Sequence, residues 1–256
     1  MDIKESKKRY YILDIIRGIT LISMIAYHFM FDLYAFGIIS YKAFFSEPMQ
    51  IWQQSICMTF IFLSGFCFHL GRKQWKRGLI ILGFAAILSL GTFFAEIIAP
   101  GSFISFGILC FMASAIFITI PLDLLFKRVK YIHWVGFFVC LIVFILVKNI
   151  GEGKIIFGLI EMPDFLYQNY LTAYFGFYPR SFVSGDYFPI LPWIFLYLTG
   201  YFAYGIFKQL NLLKIFTKFR IKPLEFIGRH TLIFYMAHQI VLYPIAFIIA
   251  IILGVF

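Results

Sequence analysis

Four polar residues lie inside one apolar stretch near the start of the chain, residues 13–33. They are Asp14, Arg17, His28 and Asp32. At about 100° per residue on a helix, these positions fall within roughly 60° of one another and form a single polar stripe. A charged group in the middle of a bilayer costs on the order of 2.5–3.5 kcal/mol, so the stripe is expected to face protein or water. The pattern predicts a functional site on a membrane-spanning helix.

His28 is the strongest candidate for chemistry in this stretch. Imidazole is the side chain whose unperturbed pKa suits proton transfer near neutral pH. Asp32 follows one helical turn later, where a carboxylate can hold the ring in one tautomer or stabilise its cation. We therefore predict that His28 and Asp32 are catalytic. The alternative is that His28 only links two helices by a hydrogen bond.

Two further polar pairs permit more than one interpretation. Asp14 and Arg17 stand three residues apart and can neutralise each other within the helix. Arg17 can also bind an anionic ligand, because a guanidinium donates to phosphate oxygens in a fork geometry. Near the other end of the chain, His238 and Gln239 form an intramembrane pair that either joins helices or lines a site.

The remaining histidines and cysteines are expected to be structural. His69, His133 and His230 flank basic clusters and are predicted to lie at the membrane interface. The four cysteines fall inside predicted spans without metal-type spacing, so we predict reduced packing residues and no metal site. A segment containing Asp186, Tyr187 and Trp193 fits an interfacial aromatic belt, except for its acidic residue.

The elements that position these residues are predicted membrane helices. The 256-residue chain is 62% hydrophobic and 13% charged, whereas roughly a quarter of the residues of a soluble domain are charged. Long apolar runs recur throughout and predict an all-α, polytopic membrane bundle that forms a single domain over residues 1–256. The seven predicted spans cover about residues 11–36, 51–70, 79–99, 103–122, 131–147, 188–207 and 231 to the C-terminus.

The charge distribution predicts the orientation. The net charge is +10, and Lys and Arg concentrate in the N-terminus and in residues 71–77, 127–130 and 208–222. This asymmetry follows the positive-inside rule, so it favours a cytosolic N-terminus rather than nucleic-acid binding. The first apolar stretch is expected to be a retained span rather than a signal peptide. The long aromatic connection at 148–187 is expected to be structured at the outer interface.

Several short motifs also occur in a particular order along the chain. They are residues 13–18 (LDIIRG), 27–28 with 32–33 (YH, DL), 62–65 (FLSG), 76–78 (KRG), 106–109 (FGIL), 186–189 with 192–193 (DYFP, PW), and 228–230 with 238–239 (GRH, HQ). Together they resemble bacterial members of the heparan-α-glucosaminide N-acetyltransferase catalytic-domain family, within the transmembrane acyltransferases. The resemblance covers nearly the whole chain.

The resemblance implies an enzyme that takes an acyl group from cytosolic acetyl-CoA, or a related acyl-CoA, to a hydroxyl or amine. His28 would be the general base or the acyl acceptor. The acyl acceptor would be a sugar-like or envelope molecule reached from the other face. We assign Asp14, Arg17, Arg72, Lys76 and Arg77 to binding of the donor, and Asp186, Tyr187, Trp193, His238 and Gln239 to binding of the acceptor.

One position departs from the family pattern. The family often has a His directly after the Phe-Gly-Ile-Leu stretch, whereas this chain has Cys110 there. If that His takes part in chemistry elsewhere, this chain does without it or uses other acceptor chemistry.

Other functional classes are weighed against the acyltransferase. A secondary transporter would use the polar stripe as a substrate or proton path, but the chain shows no internal repeat. A receptor would rest on span count alone. The expected partners are the lipid bilayer of a bacterial cytoplasmic membrane and acyl-CoA, with homo-oligomerisation left open.

Overall fold

The computed structural model describes residues 9–97, 101–127, 129 and 131–255. Predictions for residues before Arg9, for the end of the third predicted span at 98–99, for Pro100, for positions 128 and 130 and for the last residue lie outside this range. The described chain is mainly helical, so the prediction of an all-α membrane protein is confirmed. It divides into two compact units, Met1–Phe60 with Phe207–Phe256 and Ile61–Ile206. The prediction of a single domain stays a prediction.

Within the described ranges, ten α-helices are numbered in chain order. They are α1 (Tyr11–Ala35), α2 (Tyr41–Phe44), α3 (Glu47–Phe66), α4 (Gln74–Ala95), α5 (Ile108–Phe126), α6 (Ile132–Leu146), α7 (Tyr170–Ala173), α8 (Trp193–Gln209), α9 (Lys222–Arg229) and α10 (Thr231–Ile252). Two short strands, β1 (Lys154–Ile155) and β2 (Ile160–Glu161), pair antiparallel within the connection before α7. The boundaries between the two units fall within α3 and α8.

In the first unit, α1 and α10 run side by side in the same direction. The cluster around Leu21 and Met24 of α1 packs against Phe234 of α10, and further along both helices the Phe36 ring lies 4.9 Å from that of Tyr243. Both helices have the length and composition of membrane spans. The seven-span prediction also has its first and last spans running in the same direction.

Two glycines allow α9 to cross α1 at backbone contact distance. A Cβ added to Gly228 would lie 1.8 Å from the carbonyl oxygen of Asp14, and one added to Gly18 would lie 2.4 Å from that of Leu224. Real Cβ atoms do not approach backbone this closely, so the crossing requires glycine at both positions. The contact fixes α9 beside the charged start of α1.

The second unit is organised around α8, whose residues from Ile194 to Ile206 are mostly buried. The end of α3 packs on it through small residues: a Cβ on Gly65 would lie 1.8 Å from the carbonyl oxygen of Tyr197, and one on Gly200 would lie 2.0 Å from that of Phe62. The connection before α8 carries the β1–β2 pair, short 3-10 turns and α7.

Five of the described helical segments are long and apolar enough to span a membrane. They are Tyr11–Ala35, Gln74–Ala95, Ile108–Phe126, Ile132–Glu152 and Thr231–Ile252. The second and sixth predicted spans correspond to α3 and α8, which are not among these five; α8 has 17 residues, whereas a span needs about 20. The count of seven spans and the cytosolic N-terminus stay predictions.

Candidate functional site

His28 on α1 and His238 on α10 face each other within the first unit. Their ring centroids lie 4.8 Å apart and the ring planes are inclined by 61°. The parallel packing of the two helices brings these side chains to the same level. The structure therefore joins one residue predicted to be catalytic with one predicted to bind the acceptor.

Backbone geometry fixes the tautomer of His238. Its Nδ1 lies within hydrogen-bond distance of the carbonyl oxygen of Tyr235. A carbonyl oxygen only accepts, so Nδ1 carries the hydrogen and Nε2 of the neutral ring presents a lone pair. This Nε2 is buried, and no residue in the described part of the chain makes a hydrogen bond to it. The arrangement leaves a buried nitrogen base of defined orientation.

Asp32 and Gln239 form the second pair of this site. The amide Nε2 of Gln239 donates to Asp32 Oδ1 at 2.8 Å, which leaves the amide Oε1 as an acceptor. Asp32 is only 1% exposed. Its Oδ2 and the Oε1 of Gln239 are both buried, without a hydrogen-bond partner among the residues that the structure describes.

The partner of Asp32 differs from the expected one. We predicted that Asp32 orients His28, but its hydrogen bond runs across to Gln239 on α10. The one-turn spacing puts His28 and Asp32 on the same face of α1, yet the amide of the facing helix supplies the hydrogen that the carboxylate accepts. Among the described residues, no hydrogen bond joins Asp32 to His28.

The polar cluster formed by His28, Asp32, His238 and Gln239 is rich in hydrogen-bond acceptors. Three buried acceptor atoms, one each on Asp32, His238 and Gln239, are not satisfied by the described residues. Leaving a buried polar group without a partner costs about 1–3 kcal/mol. Chemically, the cluster combines a nitrogen base with two oxygens that bind O–H or N–H groups.

Asp14 and Arg17, which we assigned to donor binding, lie outside the polar cluster and belong to a group of ion pairs. The carboxylate of Asp14 is 2.7 Å from Arg17 Nη1 and 3.1 Å from Arg9 Nε, and Arg229 Nε of α9 lies 3.8 Å away. Asp14 is buried. It therefore holds arginines in place, and any anion would meet the guanidinium groups rather than this carboxylate.

Glu225 of α9 extends this ionic group. Its carboxylate accepts hydrogen bonds from Arg220 at 3.1 Å and from Arg229 at 2.8 Å. The hydrogen bonds from Arg220, followed by those from Arg229, lower the pKa of the Glu225 carboxyl below its ordinary value. Arg220 also lies 4.0 Å above the ring of Tyr11. We call the whole set the arginine cluster: Arg9, Asp14, Arg17, Arg220, Glu225 and Arg229.

The sequence patterns did not mark Arg229 as a partner of Asp14, nor Glu225 as the carboxylate that Arg220 and Arg229 bind. The available signal was the Gly228-Arg229 motif together with the acidic residue one turn earlier. Counting the described residues of the cluster, four guanidinium groups meet two carboxylates, so positive charge exceeds negative charge by two. This surplus can attract phosphate.

The other residues assigned to the donor, Arg72, Lys76 and Arg77, belong to the second unit. They surround the start of α4, where the side chain of Gln74 bonds the carbonyls of Phe68 and Gly71 and closes the turn. Arg72 and Lys76 are exposed. They form a basic surface there.

Asp186, Tyr187 and Trp193 also lie in the second unit and support its fold. Asp186 Oδ2 accepts the backbone N–H of Ile108 at 2.9 Å and so caps α5. Burial raises the pKa of the Asp186 carboxyl to about 6, although the N–H of Ile108 opposes the shift. The Tyr187 hydroxyl donates to the carbonyl oxygen of Ala173, and the Trp193 ring packs 5.2 Å from that of Phe188.

Asp123 is a further buried carboxylate, and the sequence analysis did not predict it. Asp123 of α5 accepts hydrogen bonds from the hydroxyl of Tyr201 at 2.7 Å and from Lys127, and His69 Nδ1 lies 3.9 Å away. The signal was an acidic residue in an apolar helix, one turn before a lysine. Both carboxylate oxygens are paired, so we interpret this group as a link between helices.

Cys110, at the position where the family often has His, lies in the first turn of α5. Ser114 donates to its carbonyl oxygen at 2.8 Å and itself receives a hydrogen bond from Tyr174 at 2.7 Å. Within the described ranges, no three His, Cys, Asp or Glu side chains are close enough together to hold a metal ion.

Comparison with known proteins identifies the family. The chain matches the heparan-alpha-glucosaminide N-acetyltransferase catalytic family over residues 9–240, a range that includes all four residues of the polar cluster. Neither the curated proteins nor the solved structures gave a match. Because the family match covers most of its length, the chain belongs to the heparan-alpha-glucosaminide N-acetyltransferase catalytic-domain family.

Proposed function

We propose that this membrane acetyltransferase-family protein moves an acetyl or related acyl group from acyl-CoA to a hydroxyl or amine, with His28 as general base or acyl acceptor. The observation that carries the proposal is the convergence of His28, Asp32, His238 and Gln239 between α1 and α10. Acyl transfer needs a base or nucleophile beside groups that hold the incoming O–H or N–H, and this cluster supplies both.

The donor is proposed to bind through its phosphates. In the described part of the chain the arginine cluster has four arginines for two carboxylates, and the side chains of Arg9, Arg220 and Arg229 are each about a third to a half exposed. Guanidinium groups suit phosphate geometry. Arg72, Lys76 and Arg77 of the second unit also remain proposed donor-binding residues, because their basic surface attracts anions.

The acceptor and the location are also proposed. We propose that the acceptor is a sugar or envelope molecule, reached from the side opposite the acyl-CoA, and that the protein lies in a bacterial cytoplasmic membrane with its N-terminus in the cytosol. Asp186, Tyr187 and Trp193 are retained as acceptor-binding candidates, although the contacts described above are structural.

The test is acetyl-CoA turnover by purified protein in lipid nanodiscs. Radiolabelled acetyl-CoA is supplied with glucosamine, ethanolamine or glycerol as acceptor, and released CoA and acetylated product are both measured. We expect wild-type protein to acetylate at least one acceptor, and His28→Ala to reduce the rate about 100-fold or more. Arg17→Ala is expected to weaken acetyl-CoA binding.

His230→Ala is the matched control, because His230 lies at the α9–α10 junction and its Nδ1 bonds the carbonyl oxygen of Phe226 at 2.8 Å. It should keep wild-type turnover. Absence of acetyl-CoA binding and turnover in wild-type protein would remove the proposal. Substrate flux in proteoliposomes without CoA release would favour the transporter instead.

A further inference from the structure

We infer that Nε2 of His238 is the atom that takes the proton of the acyl acceptor, an inference that rests on the proposed function. The hydrogen bond from Nδ1 to the carbonyl oxygen of Tyr235 fixes the tautomer that leaves Nε2 unprotonated in the neutral ring. An oriented imidazole whose far nitrogen carries a lone pair is the arrangement that a general base needs.

The two histidines of the cluster are not equivalent. In the described part of the chain, the ring of His28 contacts the rings of Tyr27 and His238 but makes no hydrogen bond that would select a tautomer. His238 has such a bond. The titratable groups in contact with His238 are His28 on α1 and Tyr235 on its own helix, and Asp32 of α1 bonds the neighbouring residue, Gln239. We therefore assign the base role to His238, which replaces His28 as general base in the proposed function and leaves His28 in contact with the acyl group.

The two other unsatisfied atoms indicate which substrate occupies this place. Oδ2 of Asp32 and Oε1 of Gln239 are acceptors, as is Nε2 of His238. A thioester carbonyl oxygen is also an acceptor and gains nothing from them. A nucleophile with more than one O–H or N–H hydrogen can satisfy them, so the cluster binds the acyl acceptor rather than the thioester oxygen.

The hydrogen that the acceptor loses ends on the CoA sulfur. As the acceptor oxygen or nitrogen bonds to the thioester carbonyl carbon, its hydrogen moves to Nε2 of His238. When the carbon–sulfur bond breaks, the electron pair leaves with the CoA sulfur, and the hydrogen passes from Nε2 to that thiolate. Free CoA leaves as the thiol, and no other acid, base or oxidant is consumed.

The deciding variant is His238→Asn, assayed with acetyl-CoA and the acceptor panel described above. The Asn amide nitrogen can occupy the place of Nδ1 and keep the bond to the Tyr235 carbonyl, but it cannot accept a proton. We expect acetyl-CoA affinity within about twofold of wild type and a transfer rate reduced about 100-fold or more. The wild-type rate should fall at acid pH as the base becomes protonated, and the residual rate of the variant should not show this fall.

Two comparisons make the result decisive. His230→Asn changes a histidine with the same type of Nδ1–carbonyl bond outside the cluster and should retain both the rate and the acid-side fall. If His238→Asn keeps the acid-side fall while His28→Asn loses it, His28 is the base and the inference is overturned. If wild-type protein releases no CoA, the proposed function fails first, which the wild-type assay shows separately.

Discussion

The carboxylates near the two ends of α1 differ in how many of their oxygens have a partner within the protein. In the arginine cluster, each carboxylate oxygen of Asp14 and Glu225 has a guanidinium partner. In the polar cluster, Asp32 has one amide partner, and its second oxygen is not bonded by any described residue. At the first end both carboxylates are paired with arginines, whereas at the second Oδ2 of Asp32 has no hydrogen-bond partner among the described residues.

Asp123 in the second unit supports the same distinction. It is buried like Asp32, but Tyr201 and Lys127 occupy its two oxygens. Burial alone therefore does not separate a reactive carboxylate from a structural one. The two carboxylates differ in their hydrogen bonds: both oxygens of Asp123 are paired, whereas Oδ2 of Asp32 has no partner among the described residues.

The largest expected effect comes from disrupting the crossing that assembles the arginine cluster. Gly228→Val places a side chain where even a Cβ would lie 1.8 Å from the carbonyl oxygen of Asp14. Overpacking typically costs about 1–3 kcal/mol, and a backbone clash of this kind lies at or beyond the upper end. We expect loss of monodisperse protein on size exclusion and a sharply lower Tm.

Gly83→Ala is the control for that substitution. A Cβ at Gly83 meets nothing within 4 Å, and alanine favours a helix by up to about 1 kcal/mol over glycine. Its Tm should be unchanged or slightly higher. A Gly228→Val protein with wild-type Tm would show that α9 does not contact α1 as described.

The next effect separates Asp32 from Asp123 directly. Asp32→Asn replaces a carboxylate of the polar cluster and should lower the transfer rate about tenfold to 100-fold with little change in Tm, because it also removes a buried charge. Asp123→Asn should lower the stability by about 1–3 kcal/mol, since Lys127 and Tyr201 lose a charged partner, and should leave the rate per folded molecule near wild type. Reversed results for the two variants would invalidate the distinction.

A smaller effect concerns the pH dependence of the arginine cluster. The pKa of Glu225 is lowered from 4.5 by its arginine partners, so its ionised form stabilises the folded state. That stabilisation is present above pH 4.5 and is lost as the pH falls towards and through the lowered pKa. We expect the Tm of wild-type protein to decrease on acidification below about pH 4.5, and Glu225→Gln to have a lower Tm at neutral pH and a weaker acid dependence. An unchanged slope in the variant would assign the acid sensitivity to other groups.

The smallest effect is expected at the exposed edge of that cluster. The side chain of Arg9 is 47% exposed, and exposed ion pairs contribute about 0–1 kcal/mol. Arg9→Gln should therefore change the Tm by no more than about 2–4 °C. A large loss of stability would show that Arg9 is as integral to the cluster as Arg229.

Local patterns in the sequence predicted the helices and singled out the four residues of the polar cluster, but they did not predict which of these residues contact one another. Helical periodicity placed His28 and Asp32 on one face of α1, and polarity marked His238 and Gln239. Their convergence depends on the packing of α1 against α10, which joins residues from opposite ends of the chain and has no local signature. The choice of Gln239 over His28 as partner of Asp32 likewise depends on the facing helix.

For the charged residues too, sequence spacing predicted local pairs but not contacts between distant helices. Asp14 and Arg17 could be paired from their three-residue spacing, but the approach of Glu225 and Arg229 depends on the glycine crossing of α1 and α9. Asp186 was noted as unusual among aromatic residues, and its role in capping α5 depends on a contact with Ile108, far away in the sequence. The number of membrane spans depends on the lengths of helices such as α8, and composition does not define these lengths.

The most direct test of the account is CoA release from acetyl-CoA by wild-type, His28→Ala and His230→Ala proteins in the same nanodiscs with the same acceptor panel. The account predicts product formation by wild-type and His230→Ala protein, and a rate reduced about 100-fold or more for His28→Ala, although this variant folds. Equal rates for all three proteins would contradict the claim that the polar cluster is the site of acyl transfer.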